Sequence, residues 1–273
     1  MKKIWSAVIG AGILSMFLVT GCSQVRQEKP EESSIPPQNE SDLQIVGNRE
    51  NKEEALSVEK SEEGSTSEPG AAALLYQGQA SIRIVTDEGK VIYIDPYSGE
   101  DYDLAADLIL VTHPHFDHNQ TDKVENRNPD CRIITQKEAI KDGKHQIFEL
   151  GYVTVEAVEA GYNSFHDVNE CVGYVLTFSN GRSVYVTGDT SKTDQMPLLA
   201  EKKIDYAFFC CDGVYNMGLE EAAECAQLVG AKHNIPYHMT TTTTGRQFDR
   251  ELAEQFDVEN RLIIEDGEQI WIE

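Results

Sequence analysis

Basic residues are scarce in this chain. Its 273 residues hold 23 Lys+Arg against 47 Asp+Glu, a formal charge of −24. Such a surface lacks the cations that a phosphate backbone needs, so no nucleic-acid partner is expected. It also lacks a positive patch that would hold it on anionic lipid by charge alone. Long hydrophobic runs are missing except for one at the N-terminus, and aromatic residues are missing altogether from 23 to 70. What is present is a 40% apolar content, enough for a core in one large domain or two small ones.

The N-terminal run has the form of an export signal. Lys2 and Lys3 precede apolar residues 4–19, followed by Thr20-Gly21-Cys22-Ser23. The run is shorter than the ~20 residues of a transmembrane helix. Val19-Thr20-Gly21-Cys22 resembles the lipobox of bacterial lipoproteins, in which the cysteine is lipidated and becomes the mature N-terminus. Residues 1–21 are therefore expected to be a signal peptide and Cys22 a lipid anchor on an extracytoplasmic membrane face.

From 23 to 70 the chain holds 12 acidic and 5 basic residues and 4 of its 9 prolines. Such a segment cannot bury enough apolar surface to offset its ordering entropy. Residues 22–70 are expected to be a lipidated cysteine and an acidic tether, with an r.m.s. reach of about 35–42 Å.

A folded domain is expected over 71–273. Short β-like runs recur at 81–86, 91–94, 108–111, 132–135, 153–158, 173–178, 183–187 and 206–210, most bounded by Gly, Asn, Asp or Pro. Residues 153–158 alternate as a half-buried strand should, and 108–111 are continuously apolar, as in a strand covered on both faces. Helical patterns fall at 194–203, at 219–229 with Gly230 as a stop, and at 248–256. Stacked sheets with helices outside are the expected architecture. Apart from Cys22, the cysteines are Cys131, Cys171, Cys210, Cys211 and Cys225, an odd number without framework spacing, and Cys210-Cys211 reads as the end of a buried strand.

The chemistry concentrates in Thr112-His113-Pro114-His115-Phe116-Asp117-His118, directly after the apolar strand. Side chains two apart in an extended stretch point the same way, so His113 and His115 can converge on one ion. A turn at Phe116 would send Asp117 and His118 to a second. Imidazoles with a carboxylate suit Zn²⁺, with Fe²⁺ and Mn²⁺ also possible.

This His-x-His-x-Asp-His pattern resembles the signature of the metallo-β-lactamase superfamily. Further motifs follow in the family's order. Asp95 closes Val91-Ile-Tyr-Ile-Asp-Pro. His166 lies in Gly161-Tyr-Asn-Ser-Phe-His, Asp189 in Thr187-Gly-Asp-Thr, and His238 ends Ile235-Pro-Tyr-His. The resemblance runs over residues 73–245 and is nearest to the branch of small Zn-dependent hydrolases related to ascorbate-6-phosphate lactonase. It implies an α/β fold, the four-layer αβ/βα sandwich. It implies that His113, His115 and His166 hold one metal, that Asp117, His118 and His238 hold the other, and that Asp189 bridges them. Asp117 and Asp189 are the expected catalytic carboxylates, and Asp95 is expected to hydrogen-bond a ligand imidazole. His145 and His233 match no motif and are expected to be structural or superficial.

Segments 210–217 and 239–244 depart from the branch's pattern and are expected to border the pocket, which makes Tyr215 and Thr240 candidate substrate contacts. Arg246 is expected to be solvated. The resemblance implies a metal-dependent hydrolase in which hydroxide on two zinc ions attacks an ester-like bond in a small molecule, a lactone or carboxylic ester first. A phosphodiesterase or phospholipase-type hydrolase is the alternative within the class, and a non-catalytic metal- or ligand-binding envelope lipoprotein the alternative outside it.

Overall fold

The computed structural model describes residues 71–240 and 248–273. The signal-like run, Cys22, the acidic tether and Arg246 lie outside the described residues. Among the described residues, fourteen strands and four α-helices follow one another. The first strands are β1 (Ala72–Gly78), β2 (Ser81–Val85), β3 (Val91–Ile94), β4 (Ala106–Leu110) and β5 (Arg127–Ile134). Helix α1 (Gln136–Ala139) leads to β6 (Ile140–Lys141), β7 (Lys144–His145), β8 (Ile147–Glu149), β9 (Val153–Glu159), β10 (Val172–Phe178) and β11 (Ser183–Val186). The remainder is α2 (Met196–Leu199), β12 (Tyr206–Cys210), α3 (Leu219–Val229), β13 (His233–Tyr237), α4 (Arg250–Ala253) and β14 (Glu268–Ile272).

Two six-stranded sheets carry the fold, in the orders β14-β1-β2-β3-β4-β5 and β8-β9-β10-β11-β12-β13. Each sheet shows three antiparallel pairings followed by two parallel ones. No repeat in the sequence announces this correspondence. One core cluster joins the sheets: Leu74, Tyr76, Ile82, Ile84, Ile92, Ile94, Leu108 and Leu110 from the first pack with Val155, Tyr174, Leu176 and Phe208 from the second. The Tyr76 and Phe208 rings meet across the layer at 6.5 Å. A second cluster, Val91, Tyr93, Tyr102, Ala106, Ile109 and Val124, covers the other face of β3 and β4. Both faces of 108–111 are thus buried, as its continuous apolar character requires, though here an irregular segment rather than a helix covers the outer one.

The α/β class is as expected, but the helical layers are thin. Helix α3 occupies the expected range and ends on Gly230 at φ 65°. The pattern at 194–203 resolves into α2 and a 3₁₀ turn over Ala200–Lys202, with Pro197 in the first turn. The pattern at 248–256 shrinks to the single turn of α4, capped by the Asp249 carboxylate on the Glu251 and Leu252 N–H groups. Strands β1, β6, β7, β8, β13 and β14 are not visible in the sequence. Strand β13 carries Pro236 at a sheet edge, where a missing N–H leaves no neighbour without a donor. Among the described residues no helix is long and apolar enough to cross a membrane, and the five cysteines carry free thiols, four of them buried.

Candidate metal centre

The site forms where the parallel strands end, the usual place for chemistry in such sheets. Asp95 follows β3, the residues from Thr112 to His118 follow β4, Asp189 follows β11, Asp212 follows β12 and His238 follows β13. His166 comes from the β9–β10 connection, and Gln79 from the β1–β2 turn. Three of these residues take left-handed backbone angles: Gln79 at φ 51°, Asp95 at 46° and His238 at 44°. For non-glycine residues that conformation costs about 1–2 kcal/mol each and collects at functional sites.

Close backbone approach sets the remaining geometry. Gly188 has φ 62°, and a Cβ there would lie 2.7 Å from the Val172 carbonyl and 3.0 Å from Thr112 Cβ. Its bareness presses the Asp189 turn against the end of β4. After His113 the chain turns at Phe116, with the His118 N–H donating to the His115 carbonyl at 3.1 Å.

Three donor groups converge, each within 4.8 Å: His113, His115 and His166; His113, His118 and Asp189; and Asp117, His118 and His238. Asp189 lies among them. Its Oδ2 is 3.3 Å from His166 Nε2, 3.5 Å from His238 Nε2 and 4.0 Å from His113 Nε2, and its Oδ1 is 3.4 Å from His118 Nε2. Asp117 Oδ2 is 3.8 Å from both His118 Nε2 and His238 Nε2. Two donors bound about 2.0–2.1 Å from one tetrahedral ion lie about 3.3–3.4 Å apart. The separations around Asp189 have that scale.

The proton positions point the same way. Asp95 Oδ2 accepts from Thr112 Oγ1 at 2.7 Å and from His118 Nδ1 at 2.8 Å, while its Oδ1 accepts from the Thr112 N–H at 2.7 Å. The Thr112 hydroxyl proton is thereby used, so at 3.1 Å it can only accept from His113 Nδ1. Asn163 Oδ1 accepts from His166 Nδ1 at 3.1 Å. Three imidazoles thus spend their Nδ1 protons on outer partners and turn Nε2 into the site, the arrangement typical of metal-bound histidine. His113 Nε2 and Asp189 Oδ1 are buried without a hydrogen-bond partner, and His118 Nε2 faces His238 Nε2 at 3.3 Å. A divalent cation would take up these inward nitrogens and the Asp189 carboxylate together.

Electrostatics agree with that fit. Burial, reinforced by the neighbouring His118, pushes His113 well below the ordinary imidazole pKa, and burial with His166 lowers His115. Burial would lower His118 too, but the carboxylates of Asp189 and Asp95 outweigh it and hold that imidazole well above its usual value. Burial would likewise raise Asp189, but His238 and His118 hold it well below the carboxylate range. The metal-free cluster keeps a proton on His118 against the Asp189 anion, and a metal entering would displace it.

A cavity of about 410 Å³ opens over the cluster, lined in part by His115, Asp117, His166, Asp189, His238 and Tyr215. Thr240 is not among the residues that line this cavity. Met239, directly after His238, is buried at 1% exposure. His233 stacks on Tyr206 at 4.6 Å and His145 pairs within the small β6–β7 sheet, both away from the site.

Three contacts escaped the sequence. Gln79 Nε2 donates to Asp117 Oδ2 at 3.1 Å and lies 3.1 Å from His238 Nε2. Asp212 Oδ2 faces His238 Nδ1 at 3.7 Å. Asn216 Nδ2 spans Asp212 Oδ2 at 2.7 Å and Asp189 Oδ2 at 2.9 Å. Asp212 and Asn216 lie in the segment 210–217 expected to border the pocket, but no local motif assigns them a role, and none marks Gln79.

Two stacked sheets with a histidine–aspartate cluster at their strand ends define a metal-dependent hydrolase of the metallo-β-lactamase fold. The family model described as the beta-lactamase superfamily domain matches residues 73–238. A UPF0173 metal-dependent hydrolase of Geobacillus thermodenitrificans is 31% identical over 194 residues, covering 61% of this chain and 84% of that protein. A metallo hydrolase from the archaeon Ignicoccus hospitalis superposes with a TM-score of 0.62 at 23% identity, covering 74% of this chain and 99% of that one. A metallo-β-lactamase-fold protein of Bacillus subtilis shares the fold at 13% identity and a TM-score of 0.55, over 74% and 99% of the two chains. The chain belongs to the β-lactamase superfamily, and within it to the metal-dependent hydrolases.

Proposed function

We propose that this protein is a dinuclear zinc hydrolase acting on an ester-like bond, a lactone or other carboxylic ester, at an extracytoplasmic membrane face to which Cys22 anchors it. The observation that carries the catalytic part is the position of Asp189, whose carboxylate oxygens lie 3.3 Å from His166 Nε2, 3.4 Å from His118 Nε2 and 3.5 Å from His238 Nε2, beside donor groups that each converge within 4.8 Å. His113, His115 and His166 would hold one ion, Asp117, His118 and His238 the second, with Asp189 between. Two ions held so close repel, and the carboxylates offset that repulsion. When bound, such ions lower the pKa of water to about 7 and polarise a carbonyl oxygen.

The chain's own groups supply the rest. Asp95, Thr112 and Asn163 hold the Nδ1 sides of His118, His113 and His166, so that Nε2 of each faces the site. Asp117 borders the cavity with Oδ2 tied to Gln79. With only one ion bound, it would instead be the carboxylate placed to take a proton from the attacking water and return it to the leaving oxygen. Asn216 holds Asp189 Oδ2 against rotation.

The anchor and the membrane location rest on the sequence: Lys2 and Lys3, the apolar run 4–19, Cys22, and the acidic segment behind it. The segment's length suits a tether that holds the domain clear of the bilayer.

Metal analysis of the purified chain tests the catalytic reading. Two zinc per chain, falling in Asp189→Ala, together with hydrolysis of chromogenic esters that is lost in His115→Ala, is the expected result. A chain that retains no transition metal after reconstitution would refute it and favour a binding role.

A further inference from the structure

The cavity above the histidine cluster has walls of a different chemistry from its floor. Phe116, Phe165 and Tyr215 line it, and they are 59%, 52% and 43% exposed. Large aromatic rings are seldom left in water together on a folded surface unless they meet something there. Phe165 and Tyr215 meet edge to face, with ring centroids 5.0 Å apart at 88°. Phe116 stands edge-on to Tyr97 at 5.7 Å and 90°.

The side chains that orient the histidines also set this wall. Asn163 Oδ1 accepts from the Phe165 N–H at 2.9 Å while it holds His166 Nδ1 at 3.1 Å. Asp212 Oδ1 accepts from the Tyr215 N–H at 2.7 Å while its Oδ2 faces His238 Nδ1 at 3.7 Å. Each of two side chains thus holds the backbone of one aromatic residue and stands beside one site histidine, and the two rings touch each other. Wall and floor form a single construction.

The charges around it select against anions. Among the described residues lining the cavity there is no lysine or arginine. The ionisable groups there are the imidazoles and carboxylates of the candidate centre. Among the described residues of this lining, a phosphorylated or nucleotide substrate would find no cation apart from the metals, and it would face a chain of formal charge −24.

We infer that the substrate is an uncharged ester or lactone with an apolar acyl or aryl body, which lies against Phe116, Phe165 and Tyr215 while its reacting carbonyl sits over the histidines. This rests on the metallo-hydrolase reading and narrows it. The aromatic wall contributes affinity through apolar contact and the centre contributes the chemistry, the division usual in ligand cavities.

Calorimetric titration of the zinc-loaded full chain with two metal-chelating probes tests it without relying on turnover. Acetohydroxamate reaches only the centre; octanohydroxamate also presents an apolar chain. Octanohydroxamate is expected to bind at least about tenfold more tightly to the wild type. In Phe165→Ser/Tyr215→Ser that ratio should fall towards one, with zinc content and acetohydroxamate affinity unchanged. Equal affinities for the two probes in the wild type, or a ratio that survives in the double variant, would overturn the aromatic-wall proposal and leave the metal centre standing. A chain that holds no zinc, or holds it and binds neither probe, would overturn the metallo-hydrolase reading and this one with it.

Discussion

The Asp95 carboxylate accepts from His118 Nδ1 at 2.8 Å, and both side chains are fully buried. The contact spans 23 positions of sequence and joins the ends of two adjacent parallel strands, β3 and β4. It fixes which nitrogen of His118 faces the site. In Asp95→Asn, one carboxylate oxygen that serves both Thr112 Oγ1 and His118 becomes an amide group that donates. Zinc affinity should fall by about 10–100-fold. Competition against a chromophoric chelator measures this, and an affinity equal to wild type would show that Asp95 only packs.

Gly161 is the hinge of the His166 loop. It has φ 90°, and a Cβ there would meet the His166 carbonyl oxygen at 2.8 Å. The same residue donates its N–H to the Asp189 carbonyl at 3.1 Å and accepts from the Ser191 N–H at 2.7 Å. Gly161→Ala should cost about 1–3 kcal/mol of stability through backbone strain. It should also reduce zinc retention, because relief of the clash displaces His166. Denaturant unfolding and metal content, measured on the same preparation, check both halves.

Asp205 offers a stability test remote from the site. Its carboxylate accepts from Lys232 Nζ at 2.6 Å and the Ser183 N–H at 2.9 Å, at 5% side-chain exposure. Burial alone would raise its pKa, but the Lys232 ammonium and the Ser183 N–H outweigh it and hold the group below its ordinary value. A carboxyl depressed in the fold contributes stability above its unfolded pKa and loses it as pH falls through the folded one. Asp205→Asn should cost about 1–3 kcal/mol at pH 7, and the gap to wild type should close below about pH 4. Chemical unfolding from pH 7 to pH 3 reads this directly. A gap that persists unchanged at pH 3 would mean that the charge of Asp205 contributes little.

The anchor at Cys22 makes its own prediction. The chain expressed in a bacterial host should incorporate labelled fatty acid and partition into detergent. Cys22→Ser should abolish the labelling. Equal labelling of the two forms would exclude lipidation at this cysteine.

Much of the centre is written in short stretches of sequence. His113, His115, Asp117 and His118 lie within six consecutive positions after an apolar strand, so strand periodicity and one turn suffice to bring them together. Helix α3 is equally local, with its apolar spacing and Gly230 contained in twelve residues. Strand β13 was hidden because Asn234 and Pro236 interrupt its apolar pattern, and its place at a sheet edge is what tolerates them. The correspondence between the two sheets lies in pairing and direction, which composition does not encode.

By itself the sequence determined the residue types of the candidate centre, the α/β class and the absence of a basic surface, because each depends on composition or on neighbours a few positions apart. The tertiary structure decided the outer layer and the cavity. Gln79 and His238 are 159 positions apart and meet at 3.1 Å, and Asn216 reaches Asp189 across 27. Tyr215 and Phe165 become one wall only when two separate loops fold over the same strand ends. Such contacts depend on how two sheets close on a shared core, and no local spacing specifies that closure.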